Sequence, residues 1–124
     1  MKFFHKRSTR ALGAMLFATL LLALPHAAFA HAVLVSSTPP EHGTVKSGNL
    51  EITLKYNSRI DATRSSLTLV SADGTPRSLT IDTHEGPNVL ESKAHVSRGK
   101  YTVRWQVLAS DGHITRGTVE FSVE

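Results

Sequence analysis

Two histidine-containing segments, far apart in the sequence, carry the residues best suited to bind a metal ion. His31 follows Ala28-Phe29-Ala30, an A-x-A pattern typical of a signal-peptidase cleavage site. Cleavage after Ala30 makes His31 the first residue of the mature protein. Its free α-amine and its imidazole can then chelate one ion together. An internal histidine lacks this donor pair, because its backbone nitrogen is locked in a peptide bond.

The second segment is Asp111-Gly112-His113. Residues two apart in extended backbone point the same way, and a glycine between them permits a tight backbone path. Asp111 and His113 can therefore offer an oxygen and a nitrogen to the same ion. The alternative interpretation is a plain hairpin turn, since Asp-Gly is itself a strong turn signal.

Together the two segments supply one amine, two imidazoles and one carboxylate. A tetragonal arrangement of such donors suits Cu(II), which the Irving–Williams order also favours, while Zn(II) remains the natural competitor. Sulfur ligands are excluded from the mature protein, because the chain has no cysteine and both methionines, Met1 and Met15, precede His31. Protons compete for the amine and imidazole nitrogens, so metal affinity should fall as the pH drops.

Three other histidines are weaker candidates for this site. His42 follows Pro39-Pro40-Glu41 in a loop near the predicted mature N-terminus, which could place it near the site, although histidines in loops are usually solvated. His95 ends a predicted strand and is either a half-buried histidine or an accessory ligand. His84 lies in a polar loop, where we expect it to be solvated.

Residues 1–30 have the order of a cleavable secretory signal peptide. Lys2, Lys6, Arg7 and Arg10 form a basic start, and residues 11–24 are apolar apart from Thr19. The apolar run is shorter than the about 20 residues that a spanning helix needs. We therefore predict export by the general secretory route and a mature chain of residues 31–124 without a membrane anchor.

Removal of the leader changes what the charge implies. The chain has 14 Lys and Arg against 10 Asp and Glu, and the four basic residues before position 11 account for the whole excess. The mature part is formally neutral, which gives no support to a nucleic-acid partner. Its length corresponds to one small domain, which we expect to be a monomer.

The mature sequence reads as about seven short strands separated by turn signals, with no window of helical apolar period. Tyr101, Trp105 and Phe121 fall at inward positions and are expected to fill the core. The pattern predicts an all-β fold, an antiparallel sandwich or Greek-key barrel. The predicted strands are Ala32–Ser36, Asn49–Tyr56, Ser66–Ser71, Arg77–Asp82, Asn88–His95, Tyr101–Leu108 and Thr115–Val123.

Over essentially all of residues 31–124 the sequence resembles the CopC family of periplasmic copper-binding proteins. The resemblance implies a Greek-key β-barrel of immunoglobulin-like character. It also implies a Cu(II) ion held by the amine and ring of His31 together with Asp111 and His113. The residues that carry it are His31-Ala32-Val33-Leu34, Ser37, Thr38, Pro39, Gly43, Gly99-Lys100-Tyr101-Thr102-Val103-Arg104-Trp105, Ser110-Asp111-Gly112-His113, Gly117 and Phe121-Ser122-Val123.

The resemblance also bears on partners and oxidation state. Family members often work beside, or fused to, an inner-membrane copper protein called CopD, so a CopD-like partner on a separate chain is expected. Some members carry a methionine-rich Cu(I) site as well, and its ligands are missing here, since no methionine follows Met15.

Three functions compete at this level. The first is a periplasmic Cu(II) carrier or buffer in copper resistance or homeostasis, which is a binding protein and not an enzyme. The second is a copper oxidase of the polysaccharide-monooxygenase type, because those enzymes also use an N-terminal histidine. The small domain, its inward aromatic residues and the extra donor Asp111 count against the oxidase. The third is an interaction module that binds no metal.

Overall fold

The computed structural model describes residues 31–124, and this part of the chain consists of β-strands, turns and loops. The predicted leader, residues 1–30, lies outside the described residues. The eight strands are β1 (Leu34–Thr38), β2 (Gly43–Val45), β3 (Gly48–Tyr56), β4 (Ile60–Ser71), β5 (Pro76–Leu79), β6 (Val89–Val96), β7 (Gly99–Ala109) and β8 (Ile114–Val123). Within residues 31–124, the structure contains no helix that could cross a membrane.

The strands form two sheets that enclose one apolar core. The smaller sheet has the order β1-β3-β6 and the larger has the order β2-β8-β7-β4-β5. All pairings are antiparallel except β2 with β8, which is parallel. The predicted all-β, Greek-key, immunoglobulin-like sandwich is therefore confirmed.

Alternation of apolar and polar residues explains why the core lies between the sheets. In β3 the side chains of Ile52, Leu54 and Tyr56 are buried, and in β7 those of Val103 and Val107 are buried. Alternate side chains of a strand point to opposite faces, so each strand gives one face to the core. The two layers bring the Tyr56 and Trp105 rings into an edge-to-face contact with centroids 5.3 Å apart.

The structure corrects the predicted number and bounds of the strands. Strand β2 was missed because it has only three residues and follows two prolines, which leaves little pattern to detect. Strand β4 begins at Ile60, whereas the predicted strand began at Ser66. Its first half was missed because a shift in the pairing with β7 between Asp61 and Ser66 interrupts the alternation of apolar and polar residues. Strand β5 is Pro76–Leu79, so it ends three residues before the predicted limit at Asp82.

Two features at one end of the sandwich position the candidate site. The turn between β7 and β8 carries residues 110–113, and the segment that precedes β1 carries residues 31–33. The short turn between β3 and β4, residues 57–59, lies beside both of them, as its hydrogen bonds to Val33 and Ser110 show. This end of the molecule therefore joins the two sheets.

Candidate metal centre

The structure brings together the three residues that the sequence singled out. One ligand atom from each of His31, Asp111 and His113 lies within 4.8 Å of the others. The imidazole rings of His31 and His113 meet edge to face, with centroids 4.7 Å apart. Residues separated by 80 positions in the sequence thus present their nitrogen and oxygen atoms to one small volume.

The local fold of the β7–β8 turn sets the positions of Asp111 and His113. The turn is closed by hydrogen bonds from Ala109 N to His113 O (2.8 Å) and from Gly112 N to Ala109 O (2.9 Å). Gly112 has φ = 88°, in the left-handed region that glycine adopts at no steric cost. Asp-Gly therefore forms the turn that the alternative interpretation predicted, and the same turn sets the two ligand candidates side by side.

Asp111 is held by His113 and is itself largely covered. Its Oδ1 accepts a hydrogen bond from His113 N at 2.9 Å, and its Oδ2 lies 3.1 Å from His113 Nδ1. The side chain of Asp111 is 15% exposed, whereas that of His113 is 52% exposed. The backbone hydrogen bond from His113 lowers the pKa of Asp111, the nearby His113 and His31 side chains lower it further, and partial burial opposes them. Asp111 is therefore a carboxylate at neutral pH.

Two contacts anchor the segment that carries His31. Ala32 is fully buried in the core, so the residue after His31 is fixed by packing. Val33 exchanges two hydrogen bonds with Asn57, one from Asn57 N to Val33 O (3.0 Å) and one from Val33 N to Asn57 Oδ1 (2.8 Å). His31 itself is exposed and projects from this anchored stretch.

These residues fit a bound cation. Asp111 Oδ2 is inaccessible to solvent and lies against the ring nitrogen Nδ1 of His113, and a metal ion bound between the two atoms would satisfy the buried oxygen. Two ligands that each lie about 2.0–2.1 Å from one metal are about 2.8–3.4 Å apart for bond angles between square-planar and tetrahedral values. The 3.1 Å between Asp111 Oδ2 and His113 Nδ1 falls in that range.

The other described histidines are not part of this group. His95 Nδ1 lies 3.3 Å from Asn49 Oδ1 near the start of β3, about 25 Å along that strand from Asn57. His84 Nε2 lies 3.7 Å from Asp82 in the loop after β5. His42 belongs to a separate exposed group with Glu41 and Glu120, some six residues along β8 from Ile114. None of the three is brought to His31.

Sequence reasoning missed the role of the β3–β4 turn. Asn57 contacts the segment before β1, and Arg59 O accepts a hydrogen bond from Ser110 N at 3.2 Å. The available signal was an Asn-Ser pair at the end of the best-patterned early strand. Asparagine in such a place commonly bonds to nearby backbone, but nothing in the sequence shows that its partner is Val33.

Comparison with known proteins agrees with this architecture. The CopC domain family matches residues 34–124. The copper transport protein CutJ of Bacillus subtilis (strain 168) is 25% identical over 108 residues, which are 83% of this chain and 20% of the relative. The chain thus spans only a fifth of the length of that curated relative.

Two solved structures share the fold. CopC from Methylosinus trichosporium OB3b aligns with a TM-score of 0.67 and 26% identity, covering 76% of this chain and 94% of that one. PcoC, a methionine-rich copper resistance protein from Escherichia coli, aligns with a TM-score of 0.66 and 22% identity, covering 77% of this chain and 100% of that one. The family match extends over most of the chain, and the chain belongs to the CopC family.

Proposed function

We propose that this protein binds one Cu(II) ion and serves as a periplasmic copper carrier or buffer in resistance or homeostasis. The observation that carries the proposal is the convergence of His31, Asp111 and His113 at one end of the sandwich. In this role copper is the cargo of a binding protein, not the cofactor of an enzyme. Membership of the CopC family and the likeness to a copper transport protein support the same role.

The chemistry of the donors favours Cu(II) over other ions. Nitrogen and carboxylate donors suit divalent copper, whereas Cu(I) prefers thiolates and thioethers. Residues 31–124 contain neither cysteine nor methionine. Zinc accepts the same donors, so the preference for copper rests on the Irving–Williams order and on a tetragonal arrangement that includes the α-amine.

The complete donor set depends on cleavage after Ala30. In the uncleaved chain the nitrogen of His31 is an amide, and His31 offers only its ring. We therefore propose that residues 1–30 are a leader and that residues 31–124 are the working domain. A CopD-like inner-membrane protein is the partner we propose for copper transfer.

The test is a Cu(II) titration of the exported protein. The full chain is expressed with its leader, recovered from the periplasm, and its mass is measured to locate the cleavage. We expect a mass that begins at His31 and binding of one equivalent of Cu(II). A matched variant with one glycine inserted between Ala30 and His31 keeps every side chain but blocks the amine chelate. It should bind copper much more weakly.

Three results would contradict the proposal. Equal affinity of the glycine-extended protein would remove the amine from the ligand set. Absence of Cu(II) binding by a correctly cleaved protein would favour an interaction module without metal. Consumption of peroxide by the copper-loaded protein in the presence of a reductant would favour the oxidase.

A further inference from the structure

The turn between β3 and β4 contacts both halves of the proposed copper site. Residues 57–59 connect the smaller sheet to the larger one, because β3 and β4 belong to different sheets. Asn57 is bonded to Val33, two residues from His31, and Arg59 O accepts from Ser110 N, next to Asp111. The turn therefore fixes the spacing between the two segments that carry the ligands.

The side chain of Asn57 completes the pairing of the first residues of the domain. Strand β1 pairs with β3 from Leu34 opposite Tyr56 onward, and Val33 and Asn57 are the next residues outward. Asn57 N donates to Val33 O, as in a continuing antiparallel ladder. The return bond, from Val33 N, goes to the side-chain Oδ1 at 2.8 Å. One asparagine thus extends the ladder by a residue at the point where β3 turns away.

Without this bond, two restraints still hold the backbone of residues 32 and 33. One is the buried Ala32 side chain, and the other is the backbone bond from Asn57 to Val33 O. Neither fixes the plane of the Ala32–Val33 peptide, whose N–H is the donor to Asn57 Oδ1. Since His31 is exposed and terminal in the mature protein, the rigidity of residue 33 decides how well His31 is aimed at His113.

We infer that Asn57 is a positioning residue for the copper site: through Val33 it orders the N-terminal histidine before the ion binds. It does not itself ligate the metal. This inference rests on the proposed Cu(II) function and adds a residue to it. Ordering of a ligand before binding raises affinity because less conformational entropy is lost when the complex forms.

The test compares Asn57→Ala with two partner variants in protein exported from the full chain. Asn57→Asp keeps an Oδ1 acceptor for Val33 N. Asn88→Ala is the matched control, because Asn88 Nδ2 donates to Tyr56 O (2.9 Å) at the same end of β3 and not to residues 31–33. The readouts are Cu(II) affinity, the Cu(II) EPR spectrum and hydrogen exchange of the Val33 amide.

We expect Asn57→Ala to weaken Cu(II) binding about fivefold, the equivalent of one ordinary hydrogen bond. The EPR spectrum should broaden or split, and the Val33 amide should exchange faster. Asn57→Asp should restore both affinity and spectrum, and Asn88→Ala should leave all three readouts near those of the parent protein.

The outcomes separate this inference from the proposed function. If the parent protein binds Cu(II) and Asn57→Ala binds it equally well with an unchanged EPR spectrum, Asn57 does not position the site although the function stands. Equal losses of Cu(II) affinity in Asn57→Ala and Asn88→Ala would show that the loss comes from a lower stability of the fold and not from the positioning of His31. Failure of the parent protein to bind copper would instead overturn the function.

Discussion

Asp111 and His113 contribute to the site in different ways, although they lie two positions apart. His113 is half exposed and offers a ring nitrogen, whereas Asp111 is mostly covered and already tied to the His113 backbone. His113→Ala should therefore lower Cu(II) affinity by more than about 100-fold, since changes outside the ligand shell alone cost about 10–100-fold. Asp111→Ala should cost less, about 10–100-fold.

The control for these variants is His84→Ala. His84 lies beside Asp82 in the loop after β5, outside the group formed by His31 and His113. Isothermal titration under one buffer condition should give the same Cu(II) affinity for His84→Ala as for the parent. A loss at His84 equal to that at His113 would mean that copper binds to surface histidines in general.

Asp111 also makes the stability of the metal-free protein depend on pH. The hydrogen bond from His113 N lowers the pKa of Asp111 in the folded state, so the charged form is favoured by folding. This contribution is present above the ordinary pKa of aspartate, about 3.9, and is lost as the pH falls through the lowered value. Asp111→Asn should thus be less stable than the parent at neutral pH, and the difference should vanish in acid.

Urea unfolding of the two metal-free proteins between neutral and strongly acidic pH measures this difference. A gap in unfolding free energy that stays constant over the whole range would show that the Asp111 charge has no part in it.

At the level of secondary structure, the β7–β8 hairpin contains a close contact between Gly117 and the side chain of Trp105. Gly117 lies opposite Trp105 in the pairing, and a Cβ added at Gly117 would overlap the indole ring. Trp105 is only 8% exposed, so its ring has little freedom to move away. Gly117→Ala should therefore lower the free energy of unfolding by about 1–3 kcal/mol, as overpacking does.

Denaturant unfolding checks this prediction, with Thr118→Ser as the control. Thr118 is the exposed neighbour on β8, where a change should stay within about 0.5 kcal/mol. Gly117→Ala should still bind one equivalent of Cu(II), because the glycine is remote from the ligands. A Gly117→Ala protein as stable as the parent would mean that the indole shifts freely.

Some strands could be predicted from the sequence more completely than others. Strands β3 and β7 alternate between buried and half-buried or exposed positions over most of their length, and their bounds were predicted within two residues. Strand β4 was only half detected, since its irregular pairing after Asp61 breaks the period on which the prediction depends. Local pattern identifies regular strands and is blind to bulges and to pairings as short as β2.

The three candidate ligands could be identified from the sequence by their residue types and positions. His31, Asp111 and His113 stand out by residue type and by their places after a cleavage pattern and in a turn. Asn57 does not stand out, because its role comes from a hydrogen bond to Val33, 24 positions away. Such a contact depends on the register of β1 against β3, which only the folded chain defines.

At the scale of the whole molecule, the proposed copper ion would join the two sheets. His31 leads into β1 of the smaller sheet, and Asp111 and His113 lie between β7 and β8 of the larger one. A ligand stabilises a protein only to the extent that it prefers the folded state. An N-terminal histidine chelates copper in the unfolded chain as well. Copper therefore stabilises the fold only through the extra affinity that Asp111 and His113 provide in the folded state.

This reasoning predicts a large copper-dependent rise in melting temperature that disappears without His113. If closure of the site improves affinity about 100-fold, saturating Cu(II) adds about 2.7 kcal/mol of stability. That corresponds to a rise of about 10–20 °C for a domain of this size. Calorimetry of the exported protein should show it, while His113→Ala, which keeps the N-terminal chelate, should show little. An equal rise in both proteins would mean that copper remains on His31 alone and does not link the sheets.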